Sequence, residues 1–442
     1  MRSISRLILA AALLALPATG RADAIEQPAY DDWFTDGALR VDLVHSGTRG
    51  EESFAIEELV AEPIWPGTRV HLVDPTGFGE YRFRALDRAT GREIFGQGYC
   101  SLFGEWLTTD AAGRGERRAM PEPVRMPFPK KPIHLVLEKR DGKGGFKELA
   151  KLAIDPSAYA VRRGRAVDFP VEPLHRGDAD PESTVDIVVV PDGYAAHELD
   201  KMRLDARRFA GVILNHAPFA AHRDELSIRL VAAASRESGV DEPSKGVFRS
   251  TAAGTAFDTF DAERYLTTYD MRALRELASL APYDAIVVMV NACRYGGGGI
   301  FGAYAIFSAD SEYADYVLVH EFGHGFGALG DEYFSSPTGY DEDEFYQSGV
   351  EPWEPNLTIR TARDEVKWRA LIAPGTPIPT PDTAEYDGVV GVFEGAGYKA
   401  KGLFRPTRDS KMHHKGLLPF GPVNEAAIER MIRYFTGAEV TP

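Results

Sequence analysis

Two histidines and a glutamate carry the spacing for metal chemistry in this chain: His320-Glu321-Phe322-Gly323-His324. On an α-helix, residues four apart share a face, so His320 and His324 can aim their imidazoles at one ion. Glu321 then stands beside them, where a general base for an activated water belongs. The chain has 11 histidines in 442 residues, and a chance match to this pattern is on the order of a few per cent. The plain alternative is a helix whose two histidines only cap or pair with neighbours. Apolar Val317, Leu318, Val319 and Phe322, glycines at Gly325, Gly327 and Gly330, and the pair Asp331-Glu332 weigh against it. The expected cofactor is Zn²⁺, which in catalytic sites takes three protein ligands and keeps one position open. A straight helix would carry Asp331 about 10 Å along the axis beyond His324. Gly325 and Gly327 allow the helix to stop and the chain to turn back, which makes a carboxylate just past the turn a candidate third ligand.

The elements that must position this motif follow from apolar periodicity. The motif helix is expected to start near Ser311, with Asp310, Ser311 and Glu312 as its polar start. Residues 185–190 form an apolar, β-branched run suited to a central strand. Pro191-Asp192-Gly193 turns the chain, and residues 197–215 read as a helix with Leu199, Met202, Ala206, Phe209 and Ile213 on one face. Residues 228–232 and 285–290 read as further strands, residues 261–280 as a helix between them, and residues 423–435 as a closing amphipathic helix. A twisted sheet with helices packed on it follows for a domain spanning 171–442. Gly296-Gly297-Gly298-Gly299 lacks the Gly-Lys-Ser/Thr of a phosphate loop and precedes a strand. It reads as a flexible edge strand beside a cleft, open to an extended peptide.

Residues 25–170 carry short alternating runs at 39–45, 70–73, 81–86 and 133–138. Turn clusters such as Asp74-Pro75-Thr76-Gly77 separate them, which suggests a β-sandwich-like N-terminal domain. His45, His71 and His134 lack ligand spacing there. A polar, Pro-rich linker spans about residues 162–181. Residues 1–24 read as a signal peptide: Arg2 and Arg6, a short apolar run, and Ala22-Asp23-Ala24 as the cleavage site. The protein is therefore expected to be exported, periplasmic or extracellular. No run is long enough to span a membrane as a helix. The net charge of −16 argues against nucleic acid or an anionic membrane as the main partner. Cys100 and Cys293 could pair in an exported protein or remain two free thiols. The oligomeric state is not legible.

His320-Glu321-x-x-His324-x-x-Gly327 resembles the opening of the metzincin zinc peptidases, whose third ligand stands three residues after that glycine. Gly330 occupies that slot, and Asp331 follows it. The run Gly330-Asp331-Glu332-Tyr333 is similar to the bacterial IgA metalloendopeptidase family. Val189-Val190-Pro191-Asp192-Gly193-Tyr194, the run from Ser238 to Lys245, Lys367-Trp368, Gly395-Ala396-Gly397-Tyr398 and Gly402-Leu403-Phe404-Arg405-Pro406 agree with it. The resemblance spans about residues 184–435 and, with weaker motifs, the preceding β-rich region. It implies an α/β metzincin-like zinc peptidase domain, a twisted sheet with an active-site helix, behind a β-sandwich-like domain. It implies a secreted zinc metalloendopeptidase with Glu321 as general base, acting on a peptide or protein. The ligands would be His320, His324 and Asp331, with Glu332 as the alternative and Glu394 more distant. Met412 would be the methionine packed under the ligands, or else an ordinary core residue. Tyr333 and Tyr398 are candidate oxyanion donors, or structural. His413 and His414 are disfavoured as extra ligands because adjacent side chains diverge. A zinc amidase acting on cell-wall peptides and a non-catalytic binding protein are the competing readings, and the family's name does not make IgA a substrate.

Overall fold

The computed structural model describes residues 26–334, 342–416 and 418–440. The signal-peptide reading lies outside those residues. The N-terminal region forms two sheets. One has five strands: Phe34–Thr48, Glu51–Glu62, Arg118–Pro121, Val124–Pro129 and Val161–Arg163. The other has four: Tyr81–Asp87, Glu93–Tyr99, Ile133–Arg140 and Phe146–Ile154. Leu39, Val41 and Leu43 of the first share one buried cluster with Phe83, Leu135 and Leu137 of the second. Alternation puts each set on one face of its strand. The expected strand at 70–73 is absent. Thr68 Oγ1 accepts from the amides of Val70 and His71, which turns the chain, and only Val73 makes a bridge, to Gly96.

The second region is built on a six-stranded sheet. In chain order its strands are β1 Val171–His175, β2 Val185–Asp192, β3 Leu226–Val231, β4 Ala285–Val290, β5 Gly297–Ile300 and β6 Tyr304–Ser308. They lie side by side as β1-β3-β2-β4-β6-β5. The four central strands are parallel, and the edge strands β1 and β5 run antiparallel to their neighbours. β2 is buried along its whole length, as a strand covered on both faces must be. Ile187 and Val189 face the cluster of helix α1 (Leu199–Asn215) with Phe209 and Ile213. Val188 and Val190 face the opposite cluster, with Leu274 and Leu277 of helix α2 (Met271–Ala278). Helix α3 (Ala314–Gly325) and helix α4 (Pro422–Thr436) pack on the α1 side through Leu318, Phe322, Ile428 and Ile432.

Helix α2 is shorter than the expected 261–280. Asp258, Phe260 and Asp261 have positive φ, and Asp270 caps the helix by accepting from the amide of Ala273 at 2.9 Å. The stretch before it runs instead along β5: Tyr265 bridges Gly297. The Gly297 amide donates to Arg264 O at 3.3 Å, and the Leu266 amide donates to Gly297 O at 3.2 Å. The edge strand is therefore covered at Gly297. Its glycines also serve close packing rather than flexibility. A Cβ on Gly297 would lie 2.4 Å from Val317 Cγ1 and 2.7 Å from Glu321 Oε1, and one on Gly299 would lie 2.4 Å from Glu321 O. Only bare backbone lets β5 lie against the motif face of α3.

Cys100 and Cys293 are free thiols. No helix among the described residues is long and apolar enough to cross a membrane. Gly299→Ala is expected to destabilise the protein by on the order of 1–3 kcal/mol through overpacking against α3, read as a lower thermal midpoint. An unchanged midpoint would mean that the strand can retreat from the helix.

Candidate metal centre

Helix α3 carries His320 and His324 one turn apart and brings their Nε2 atoms to 3.2 Å of each other. Each ring's other nitrogen is committed. His320 Nδ1 lies 3.1 Å from the carbonyl of Lys411, and His324 Nδ1 lies 2.5 Å from the carbonyl of Leu329. A carbonyl only accepts, so both Nδ1 atoms carry a proton, which leaves Nε2 of each ring as the atom a metal would take. This is the tautomer a metal ligand needs, set by the groups behind it.

The chain leaves α3 through a tight turn in which the Leu329 amide donates to Gly323 O at 3.1 Å. The left-handed residue of the turn is Ala328, at φ 60°, not either expected glycine. Gly325 and Gly327 are needed for space: a Cβ on Gly325 would lie 2.7 Å from Tyr304 O, and one on Gly327 2.8 Å from Gly323 O. The turn delivers Asp331 to the histidines. Its Oδ1 lies 3.1 Å from His320 Nε2 and 3.3 Å from His324 Nε2. The three donor atoms lie within 4.8 Å of one another.

Asp331 Oδ1 is buried without a well-directed hydrogen bond, while Oδ2 accepts from Tyr398 Oη at 2.7 Å. Two lone pairs and a carboxylate oxygen thus face one small space, which is unfavourable unless a cation or protons fill it. Without an ion, burial opposes charge on His324, but Asp331 outweighs it and pushes the imidazole up to about 9. Burial likewise opposes charge on Asp331, and His324 and His320 outweigh it to hold the carboxyl well below its usual range. Two imidazoles and one carboxylate are a donor set that suits a divalent transition metal such as zinc. Burial lifts the Glu321 carboxyl above its ordinary range, against the opposing pull of His320 and His324. That raises its capacity to accept a proton.

Glu332 points elsewhere. It is fully buried and takes hydrogen bonds from Asn356 Nδ2 and Asn424 Nδ2, both at 2.9 Å, and from Ser410 Oγ at 2.6 Å. Its amide donates to Met412 O at 2.9 Å. The pair Asp331-Glu332 thus divides its work between the cluster and the turn at 410–412, which supplies the Lys411 carbonyl to His320. Met412 is fully buried in the cluster beneath α3, and a Cβ on Gly323 would lie 3.1 Å from its Sδ. Glu394 is held by Lys401 at 2.8 Å and does not join the histidines. The hydroxyl of Tyr398, for which an oxyanion-donor and a structural role were both open, is directed at Asp331. The ring of Tyr333 stacks near His320 at 6.5 Å.

The cluster opens into a cavity of about 1410 Å³, lined by His320, Glu321, His324, Asp331 and the glycines of β5. The N-terminal region contributes to its wall through Glu105, Lys139 and Arg140. Sequence reading missed this wall, together with Arg264, Tyr295 and the Asn356–Asn424 support, because no local spacing links them to the motif.

Tyr398→Phe is expected to lower zinc affinity by about 10–100-fold by releasing Asp331 Oδ2, measured by chelator competition; unchanged affinity would remove Tyr398 from the site. Glu332→Ala is expected to destabilise by about 3 kcal/mol, because three buried donors lose their acceptor. Denaturant unfolding measures that. Metal loss without a stability change would return Glu332 to the ligand set.

A family profile described as IgA Peptidase M64 matches residues 175–385, and one described as Peptidase M64 N-terminus matches residues 29–150. No match was found among the curated proteins searched. The matched residues include His320, Glu321, His324 and Asp331 but not Tyr398 or Met412. With both regions matched in the family's own order across most of the chain, this protein belongs to the IgA peptidase M64 family.

Proposed function

We propose that this chain is an exported, zinc-dependent endopeptidase that hydrolyses peptide bonds by direct attack of water, with His320, His324 and Asp331 as the zinc ligands and Glu321 as the general base. The observation that carries this reading is the meeting of two imidazole Nε2 atoms and one buried carboxylate oxygen without a well-directed hydrogen bond, in an open cavity. Membership of a peptidase family makes the substrate a peptide or protein. The metzincin-like character of the α/β domain and the sandwich-like character of the N-terminal domain belong to the same reading. They are supported by the turn after α3, by buried Met412, and by the facing sheets.

His320, His324 and Asp331 would hold the zinc, which would supply Lewis acidity toward water and an amide carbonyl. Glu321 lines the same cavity. Its raised affinity for a proton lets it take one from the attacking water and give it to the leaving amine. The Lys411 and Leu329 carbonyls keep both imidazoles oriented throughout. Tyr398 keeps Asp331 from rotating. Beyond Gly297 the edge strand β5 borders the cavity, where an extended substrate backbone can lie beside it. No protein nucleophile is required.

Glu321→Gln is expected to keep zinc and to lose about 10²–10⁴-fold in turnover, measured by metal analysis together with cleavage-site profiling on a peptide library. Wild-type turnover in that variant would sink the assignment of Glu321. Chelator-insensitive cleavage by the native protein would sink the zinc reading.

A further inference from the structure

A second group of metal-type donors lies in the turn that supports the first. Asp409, His413 and His414 place a carboxylate oxygen and two ring nitrogens within 4.8 Å of one another. Adjacent histidines were expected to diverge, as they do in a strand or helix. Here the amides of His413 and His414 both donate to Ser410 O at 3.1 Å, and this tight turn brings the two rings to 4.0 Å. His414 Nδ1 lies 2.7 Å from Asp409 Oδ1. That oxygen also accepts from the Ser410 amide at 2.9 Å. His413 Nδ1 stands 3.6 Å from it, beyond hydrogen-bond reach.

His413 makes this more than a surface cluster. Its side chain is only 8% exposed, its ring stacks near Phe334 at 6.0 Å, and its Nδ1 is buried without a hydrogen-bond partner. Burial first, then Arg405 and His414, holds this imidazole down to about 4, so it is neutral at ordinary pH. The nearby Arg405 guanidinium is itself engaged, by Asp382 at 2.9 Å and the Gly395 carbonyl at 2.6 Å.

We propose that Asp409, His413 and His414 form a second divalent transition-metal site at the rim of the cavity, separate from His320, His324 and Asp331. Two imidazoles and a carboxylate favour zinc, cobalt or nickel over calcium or magnesium. Zinc with bonds of about 2.0–2.2 Å in tetrahedral geometry separates its ligands by about 3.3 Å. The separations of 2.7 and 3.6 Å from Asp409 Oδ1 straddle that value, and all three donor atoms lie within 4.8 Å of one another. All three residues line the cavity, which leaves the remaining positions to solvent. Asp409 and His414 are 46% and 62% exposed, so this site is the weaker of the two. An ion here ties Asp409 to His413 and His414 across Lys411, whose carbonyl holds His320. Occupancy would thereby stiffen the turn under the first cluster.

The test is calorimetric titration of Zn²⁺ into the chelator-stripped full chain, with His414→Ala, Asp409→Asn and His324→Ala alongside. The wild type is expected to take two equivalents, one tight and one weaker. His414→Ala and Asp409→Asn, both at exposed positions, are expected to weaken the second step at least tenfold and leave the first. His324→Ala is expected to remove the tight step and leave the weaker one, and failure of that arm alone would count against the first cluster rather than this site. One equivalent in the wild type, unchanged by His414→Ala, would overturn the proposal. So would two equivalents that are both indifferent to His414→Ala and Asp409→Asn.

Discussion

Two imidazole lone pairs and a carboxylate oxygen are held facing one another in a buried space, and the surrounding structure exists to keep them there. Left alone they repel, or they must collect protons. The arrangement persists because every other polar atom of the three side chains is already engaged: His320 by the Lys411 carbonyl, His324 by the Leu329 carbonyl, Asp331 by the Tyr398 hydroxyl. The three partners come from three different places in the chain. Two fix a tautomer and the third fixes a carboxylate rotamer, so the donor geometry is prepared before any ion arrives.

Glu332 is the hinge of this preparation. It is buried, and three side-chain donors satisfy it. Through Asn356 it ties the segment at Gly330 to the 350s, and through Asn424 it reaches the start of α4. Through Ser410 and the Met412 carbonyl it fixes the turn that carries Lys411. Adjacent carboxylates in the chain thus serve opposite ends. Asp331 completes the cluster, while Glu332 anchors the scaffold that aims one of its histidines. A fully satisfied buried carboxylate specifies one arrangement of the segments around it, whereas an apolar residue there would leave the same donors orphaned.

Close approach of backbones is the second constraint. β5 lies against α3 only because Gly297 and Gly299 present no side chain to Val317, Glu321 and His324. The turn after α3 fits between Tyr304 and Gly323 only because Gly325 and Gly327 present none either. The N-terminal region contributes part of the cavity wall. It is fixed there by buried Arg40, which bonds Asp42 at 2.8 Å and reaches Glu276 on α2. Arg125 adds a bond to the Tyr283 carbonyl at 2.7 Å. The cavity is therefore a property of both regions together, which accords with the family pattern of an N-terminal region preceding the peptidase.

By itself the sequence determined the motif helix, the strands behind it at 185–190, 228–232 and 285–290, and the N-terminal strands at 39–45, 81–86 and 133–138 but not the one expected at 70–73, because these rest on short runs of apolar and alternating residues. It also brought His320, Glu321 and His324 to one place, since four-residue spacing on a helix needs no tertiary help. It left open the choice between Asp331 and Glu332 and the role of Tyr398, took the glycines of β5 for flexibility where they serve close packing, and did not foresee the turn that brings the rings of His413 and His414 together. The choice between two neighbouring carboxylates depends on which way a turn faces. That was decided by Ala328 in the left-handed region, by the crowding around Gly325 and Gly327, and by Asn356, Asn424 and Ser410, up to 92 residues away. Only the folded chain brings such partners together, because their contacts are made by packing across the fold and leave no period in the sequence.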